Sequence, residues 1–453
     1  MTMDWQQLLS RRRLSFRGDF QAMSPVHLRS AFERDWDRIL FSTAFRRMHD
    51  KTQVFPLPDN DVVHSRLTHS LEVASVGRSL GKNVGRTLLE RHPALASHVD
   101  IHDLGDIVAA GCLAHDIGNP PFGHAGENAI ASFFQSDAGR AATVGLSPRE
   151  RDDFERFEGN AQGFRVLTRL QLEGNGGLHL TSATLAAFSK YPRESGDALR
   201  RPGQVATKKH GVFQADTAAF AALARETGLL PLGALPGAAW ARHPLAFLVE
   251  AADDICYSIL DIEDGTRLGH VQPANAEQLL AALVPDDLAR LAAFSDAMER
   301  ISFLRARAIG RMIDQCVEVF LDHEAAILDG SHGSSLADQI ADAAQLQALK
   351  TLARNACYRA PEVLEIELAG YEALGGLLAT FVPAAAADPR DGPLAEKQQK
   401  TLALLHGRGV KLAGSTTYER ILRVTDYVSG MTDRHALATF RRLTGIAIPG
   451  RLG

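Results

Sequence analysis

Four residues, Gly118-Asn119-Pro120-Pro121, interrupt the chain directly after an apolar segment that begins near Ile101. A helix does not run through this tetrapeptide. Glycine costs backbone entropy, and two successive prolines remove backbone donors and clash with the turn before them. His115-Asp116 closes the apolar segment, and His124 and Glu127 follow the prolines. Residues 115–127 therefore read as a helix end and a fixed loop that turns a second histidine back towards the first. Adjacent His115 and Asp116 offer a nitrogen and an oxygen ligand to one divalent cation. The dipeptide says little in isolation, because it recurs at His49-Asp50 and His102-Asp103. For an arbitrary His-Asp pair, a histidine oriented by a carboxylate is the ordinary explanation.

The rest of the chain reads as helix. Aromatics are only 7% while Ala and Leu abound, which favours helix over sheet. Apolar spacing predicts helices over about 30–48, 64–89, 101–116, 152–172 and 245–262, more helix through 275–380, and a last helix over 418–443. Pro56–Asn60 is expected to turn, Gly174–Gly177 to end a helix, and 383–393 to form an exposed loop. Residues 191–212 are polar, with Lys208-Lys209, and read as a loop or lid. The fold class is all-α, with room for one small hairpin. No internal repeat, Gly-x-Gly-x-x-Gly fingerprint or Walker loop is present.

A net charge of −5 argues against wholesale coating of nucleic acid. No secretory leader and no apolar stretch near the ~20 residues of a membrane helix is visible. Cys112, Cys256, Cys316 and Cys357 are widely spaced. The expectation is a cytoplasmic protein with reduced thiols and no membrane partner.

Residues 250–264 place several acids in an otherwise apolar helix. Asp253, Tyr257 and Asp261 stand at i, i+4 and i+8, on one face. An acidic stripe is usually solvated, but here Ala251, Ala252, Ile255, Ile259, Leu260 and Ile262 surround it. Unpaired buried carboxylates are costly, and a cation would compensate them. His69, in Arg66-Leu-Thr-His-Ser-Leu-Glu72, lies inside another apolar-periodic helix; alone it would pass for a core histidine.

His69, His115-Asp116 and Asp253, in that order, resemble the ligand pattern of the HD superfamily of metal-dependent phosphohydrolases. Within it the chain is most similar to the deoxyguanosine triphosphate triphosphohydrolase (dGTPase-like dNTPase) family. The matching blocks include Asp50–Pro58, Arg66–Val73, Ala114–Glu127, Phe157–Gln162, Glu250–Tyr257 and Gly430–Asp433. The resemblance implies an HD-domain helical fold with an additional helical C-terminal region. Its parts would be an N-terminal arm (1–60), a metal-binding core with the 191–212 loop (61–270) and a C-terminal region (271–453).

By the same resemblance, His69, His115, Asp116 and Asp253 hold the metal. Mn²⁺ or Mg²⁺ is expected, and Ni²⁺, Fe²⁺ or Zn²⁺ would also suit the donors. His124 and Glu127 form the acid/base pair. Gln53, Tyr257 and Asp261 select the sugar, while Arg66, Lys208 and Lys209 neutralise phosphate. The implied reaction converts a dNTP, dGTP among them, to deoxynucleoside and tripolyphosphate. The chain departs from many relatives by carrying Asn119 and Gly159 where they carry histidine, and His64 where arginine is common. This resembles a bacterial subgroup with hexameric members, so a homo-oligomer is expected, with 418–442 as a segment completing a neighbour's site. Two alternatives stand beside it: another HD-type nucleotide phosphohydrolase, and a nucleotide-sensing regulator that binds single-stranded DNA through Arg11–Arg13, Arg46-Arg47 and Arg200-Arg201.

Overall fold

A computed structural model describes residues 2–14, 20–21, 29–55, 63–172, 176–196, 199–233, 237–387 and 393–446. Its architecture is all-α. Among the described residues the regular strands are Arg13–Leu14 and Phe20–Gln21, an antiparallel pair.

Three helices build the site. Arg66–Arg91 opens with a capping box, in which the Ser65 hydroxyl accepts from Thr68 N–H and the Thr68 hydroxyl accepts from Ser65 N–H. This places His69 in the first turn. Ile101–Ala114 starts on Asp100, which caps His102 and Asp103, and hands over to His115 at its C-terminus. These two helices pack tightly because glycines face the contact. A Cβ on Gly81 would lie 2.7 Å from the Leu104 carbonyl oxygen, and one on Gly105 would lie 2.8 Å from Lys82 Cγ. Pro244–Arg267 lies across both, largely buried, and carries Asp253.

Two hydrophobic clusters form the interior. The larger is built on these three helices. The smaller joins Gly123–Gln135 to Pro361–Ala386, Thr417–Ser429 and Asp433–Leu443. The site lies at their seam: its walls take Val54 and Val363 from the first cluster and Phe122 from the second.

Several expected boundaries are corrected. The single helix expected over 152–172 is Pro148–Glu155, a break, then Gly159–Arg165 widening into a π turn at Val166–Leu170. The break arises because Glu158 is extended and the Gly159 N–H donates to the Glu127 carboxylate. The segment over 30–48 divides at Ser42, which caps Thr43–Arg47. The last helix divides at Gly430–Thr432 into Thr417–Ser429 and Asp433–Leu443. The loop expected from Pro383 starts later, since Pro383 sits in the last turn of Pro361–Ala386. That helix is also long and apolar enough to cross a membrane by composition, which corrects the expectation that no such stretch exists; half of its most apolar window is buried inside the protein. The turn at Pro56–Asn60, residues 388–392 of the expected loop, and Gly174 and Asn175 lie outside the described residues.

Candidate metal centre and active-site cavity

His69, His115 and Asp116 bring one donor atom each within 4.8 Å of one another. Asp253 joins them, with Oδ1 at 3.4 Å from His69 Nε2 and 3.5 Å from His115 Nε2. Asp254, its neighbour, points away and pairs with Lys350 at 2.9 Å. Supporting contacts fix the donors. His115 Nδ1–H donates to the Cys112 carbonyl at 2.7 Å, which leaves the Nε2 lone pair facing the cluster. Asp116 accepts from Asn119 Nδ2 at 2.7 Å on one oxygen and from Arg66 on the other. Burial works to raise the Asp116 pKa, but Arg66 and then His115 outweigh it and hold the carboxyl well below its usual range. Asp253 behaves alike: burial opposes ionisation, while Lys190 and the imidazoles hold it ionised. Two imidazoles, one of them oriented by the Cys112 carbonyl, beside two ionised carboxylates form a donor set suited to a divalent cation.

The cluster opens into a cavity of about 560 Å³, within the range of small-ligand sites. His124 is exposed on its wall, at the second position of Gly123–Gln135, and Glu127 is buried one turn later. The structure does not join these two side chains. Glu127 accepts instead from Gly159 N–H at 2.6 Å and lies 3.7 Å from Lys209 Nζ. Lys209 pairs more closely with Glu158, at 2.9 Å. Burial and the Glu127 charge push Glu158 up to about 7. Lys208 is exposed on the rim. Arg66 lines the cavity but is committed to Asp116 and to the Thr52 carbonyl, at 2.9 Å for the latter.

Gln53 and Tyr257 face the same cavity, and the buried Oε1 of Gln53 has no hydrogen-bond partner among the described residues. Asp261 lies one layer behind. It accepts from the Tyr358 hydroxyl, and the Tyr358 ring stacks on Tyr257 with centroids 5.7 Å apart. Burial pushes Asp261 up to about 8. Among the lining residues that escaped sequence reasoning are Lys190, which donates to Asp253 Oδ2 at 2.7 Å, Asn160 and Tyr358. Lys190 opens the polar 191–212 segment, a faint signal; Tyr358 sits in ordinary helical sequence and offered none.

Asn119 and Gly159 lie against each other. A Cβ on Gly159 would run into Asn119 Oδ1 and lie 2.8 Å from Glu127 Oε1.

A buried histidine-carboxylate cluster at the junction of three helices defines an HD-domain phosphohydrolase, a hydrolase that depends on a divalent metal. Residues 66–157 match the HD domain family, and residues 336–442 match the phosphohydrolase-associated domain. A deoxyguanosinetriphosphate triphosphohydrolase-like protein of Synechocystis is 46% identical over 98% of this chain and all of its own length. A protein of the same name from Pseudomonas aeruginosa is 42% identical over 99% of this chain and all of its own. A deoxyguanosinetriphosphate triphosphohydrolase of Yersinia pseudotuberculosis is 30% identical over 97% of this chain and 98% of its own. The chain belongs to the deoxyguanosinetriphosphate triphosphohydrolase-like family.

Proposed function

We propose that the cavity hydrolyses deoxynucleoside triphosphates, dGTP among them, to deoxynucleoside and tripolyphosphate. The observation that carries this reading is the placement of exposed His124 and a lysine-lined wall around one histidine-carboxylate cluster. His69, His115, Asp116 and Asp253 would hold Mn²⁺ or Mg²⁺, with Ni²⁺, Fe²⁺ or Zn²⁺ also compatible. A divalent cation supplies polarisation of a phosphoryl oxygen and a bound water of lowered pKa. The bond broken is that between the α-phosphorus and the 5′-oxygen, so the phosphates leave as one piece. His124 delivers the proton that the departing 5′-oxygen needs, because a deoxynucleoside alkoxide is a poor leaving group. Lys208, Lys209 and Lys190 balance the charge of the triphosphate, and Arg66 does so while holding Asp116. Glu127 tunes that wall through Lys209. Gln53 offers its unpaired oxygen to the 3′-hydroxyl, and the Tyr257 ring packs where a 2′-hydroxyl would stand. Asp261 acts on the sugar through Tyr358. The core at 61–270, a homo-oligomer, a hexamer among the forms considered, and a cytoplasmic location belong to the same proposal.

Incubating the protein with each dNTP and Mn²⁺ tests it. Tripolyphosphate is the expected product. Release of pyrophosphate or orthophosphate alone would assign the chain to another nucleotide phosphohydrolase.

Single-stranded DNA is a second reading, favoured by a further cavity of about 810 Å³ behind the metal loop. Arg46, Arg47, Arg408, Lys411 and Arg423 line it, and Asp426, its lining carboxylate, is engaged by Arg165. Arg11, Arg12 and Arg13 serve elsewhere, paired with Asp103, Glu226 and Asp35. Oligonucleotide binding that weakens steeply with salt supports this reading; binding without salt dependence removes it.

A further inference from the structure

Asp433 is fully buried, and both its carboxylate oxygens are used. Oδ2 accepts from the Thr52 backbone N–H at 2.9 Å and from the Thr52 hydroxyl at 2.6 Å. Oδ1 accepts from the Phe122 backbone N–H at 3.0 Å. One carboxylate thus ties together two segments that reach the cavity separately. Thr52 directly precedes Gln53, and Phe122 stands two residues before His124.

Both segments need such a tie. Phe122 has φ +64°, in the left-handed region that a bulky side chain rarely occupies, and Gly123 follows at φ +57°. This double reversal launches Gly123–Gln135 and aims His124 into the cavity. It persists only where the surroundings hold it. The Phe122 ring lies against Gly370, where a Cβ would approach it to 2.8 Å, and its N–H is held by Asp433. A side chain at Gly123 would be strained at this φ, and its Cβ would lie 2.8 Å from Arg66 Nη2. Thr52 is gripped from two sides: its carbonyl accepts from Arg66, and its N–H and hydroxyl donate to Asp433.

We propose that Asp433 is a positioning residue which, through Thr52 and Phe122, sets the separation of Gln53 and His124 across the cavity. It thereby couples recognition of the sugar to delivery of the proton. This rests on the dNTP-hydrolase reading given above. The role falls to the helix pair at the chain's end, 381 residues from Thr52, and acts within one chain.

The experiment uses the full-length protein. Wild type with a dNTP and Mn²⁺ is assayed first; absence of tripolyphosphate there sinks the dNTP-hydrolase reading and leaves the geometric tie untouched. Asp433→Asn then replaces one acceptor oxygen with a donor that faces an N–H. Displacements near 1 Å at a reacting group cost roughly 100-fold, so kcat/KM is expected to fall by about that factor. KM should rise, and the preference for a dNTP over the matching ribonucleotide should shrink. Affinity for Mn²⁺ should stay at the wild-type value, because no metal donor is touched. Arg434→Ala, which removes the neighbouring Arg434–Asp50 pair at 3.0 Å, should leave the kinetics unchanged. Wild-type kinetics in Asp433→Asn overturn the proposal. So does a fall in kcat alone, with KM and sugar preference unchanged, which is the mark of a smaller folded fraction. Should Asp433→Asn fail to fold, Thr52→Val deletes only the hydroxyl bond. A rise in KM with weakened sugar preference supports the proposal, and unchanged preference overturns it.

Discussion

Lys190 donates a 2.7 Å hydrogen bond to Asp253, on the carboxylate oxygen that the two imidazoles do not approach. The lysine therefore orients the fourth donor of the cluster from behind. Outer partners of this kind are worth about 10–100-fold in metal affinity. Lys190→Met is expected to weaken Mn²⁺ binding by roughly that factor, measured by titration calorimetry. Unchanged affinity would leave Lys190 with the triphosphate alone.

His124 is exposed in the cavity and is not grouped with the cluster donors among the described residues. His124→Ala should then keep the metal and lose the proton. General acid catalysis contributes about 10²–10⁴-fold, so kcat should drop by that order while metal content stays at the wild-type level. A variant that loses both would place His124 among the metal donors instead.

Tyr358 donates to buried Asp261 and stacks on Tyr257. Tyr358→Phe keeps the ring and leaves a buried acceptor unpaired, at a cost of about 1–3 kcal/mol. Chemical denaturation should read that loss. The same variant should discriminate less sharply between deoxyribose and ribose, because the ring behind Tyr257 loses its anchor on Asp261. Intact stability together with intact discrimination would sink this account of the sugar pocket.

His64 bridges Asp264 at 2.8 Å and Glu72 at 2.9 Å. Burial alone would lower its pKa, but the two carboxylates overcome this and raise it from 6.5 to about 10. A folded-state value above the unfolded one means stability that is full below about pH 6.5 and is lost as pH rises through about 10. The gap in unfolding free energy between wild type and His64→Gln should therefore narrow steadily from pH 6.5 to 10. A gap that stays constant across this window would show that His64 acts through shape rather than charge.

That His69, His115, Asp116 and Asp253 gather in one cluster was legible through the family resemblance, while helical spacing put Asp253, Tyr257 and Asp261 on one face. The loop at Gly118–Pro121 was legible for the same local reason. Residues that act through distant contacts were not. Lys190 lies 63 positions from Asp253, and Asp433 lies 311 from Phe122; no local pattern links such pairs. The break at Arg156–Glu158 was hidden because Phe157 is apolar and Glu158 suits a helix, and the Gly159 bond to Glu127 that imposes it is tertiary. The expected pairing of His124 with Glu127 was implied by the family resemblance, whereas the structure gives that carboxylate to Gly159 and Lys209.

The contact between Asn119 and Gly159 makes the two positions interdependent. Asn119 steadies Asp116, and the bare backbone at 159 leaves it space. A side chain added at 159 would press first on Asn119, then on the carboxylate it supports, and on Glu127 as well.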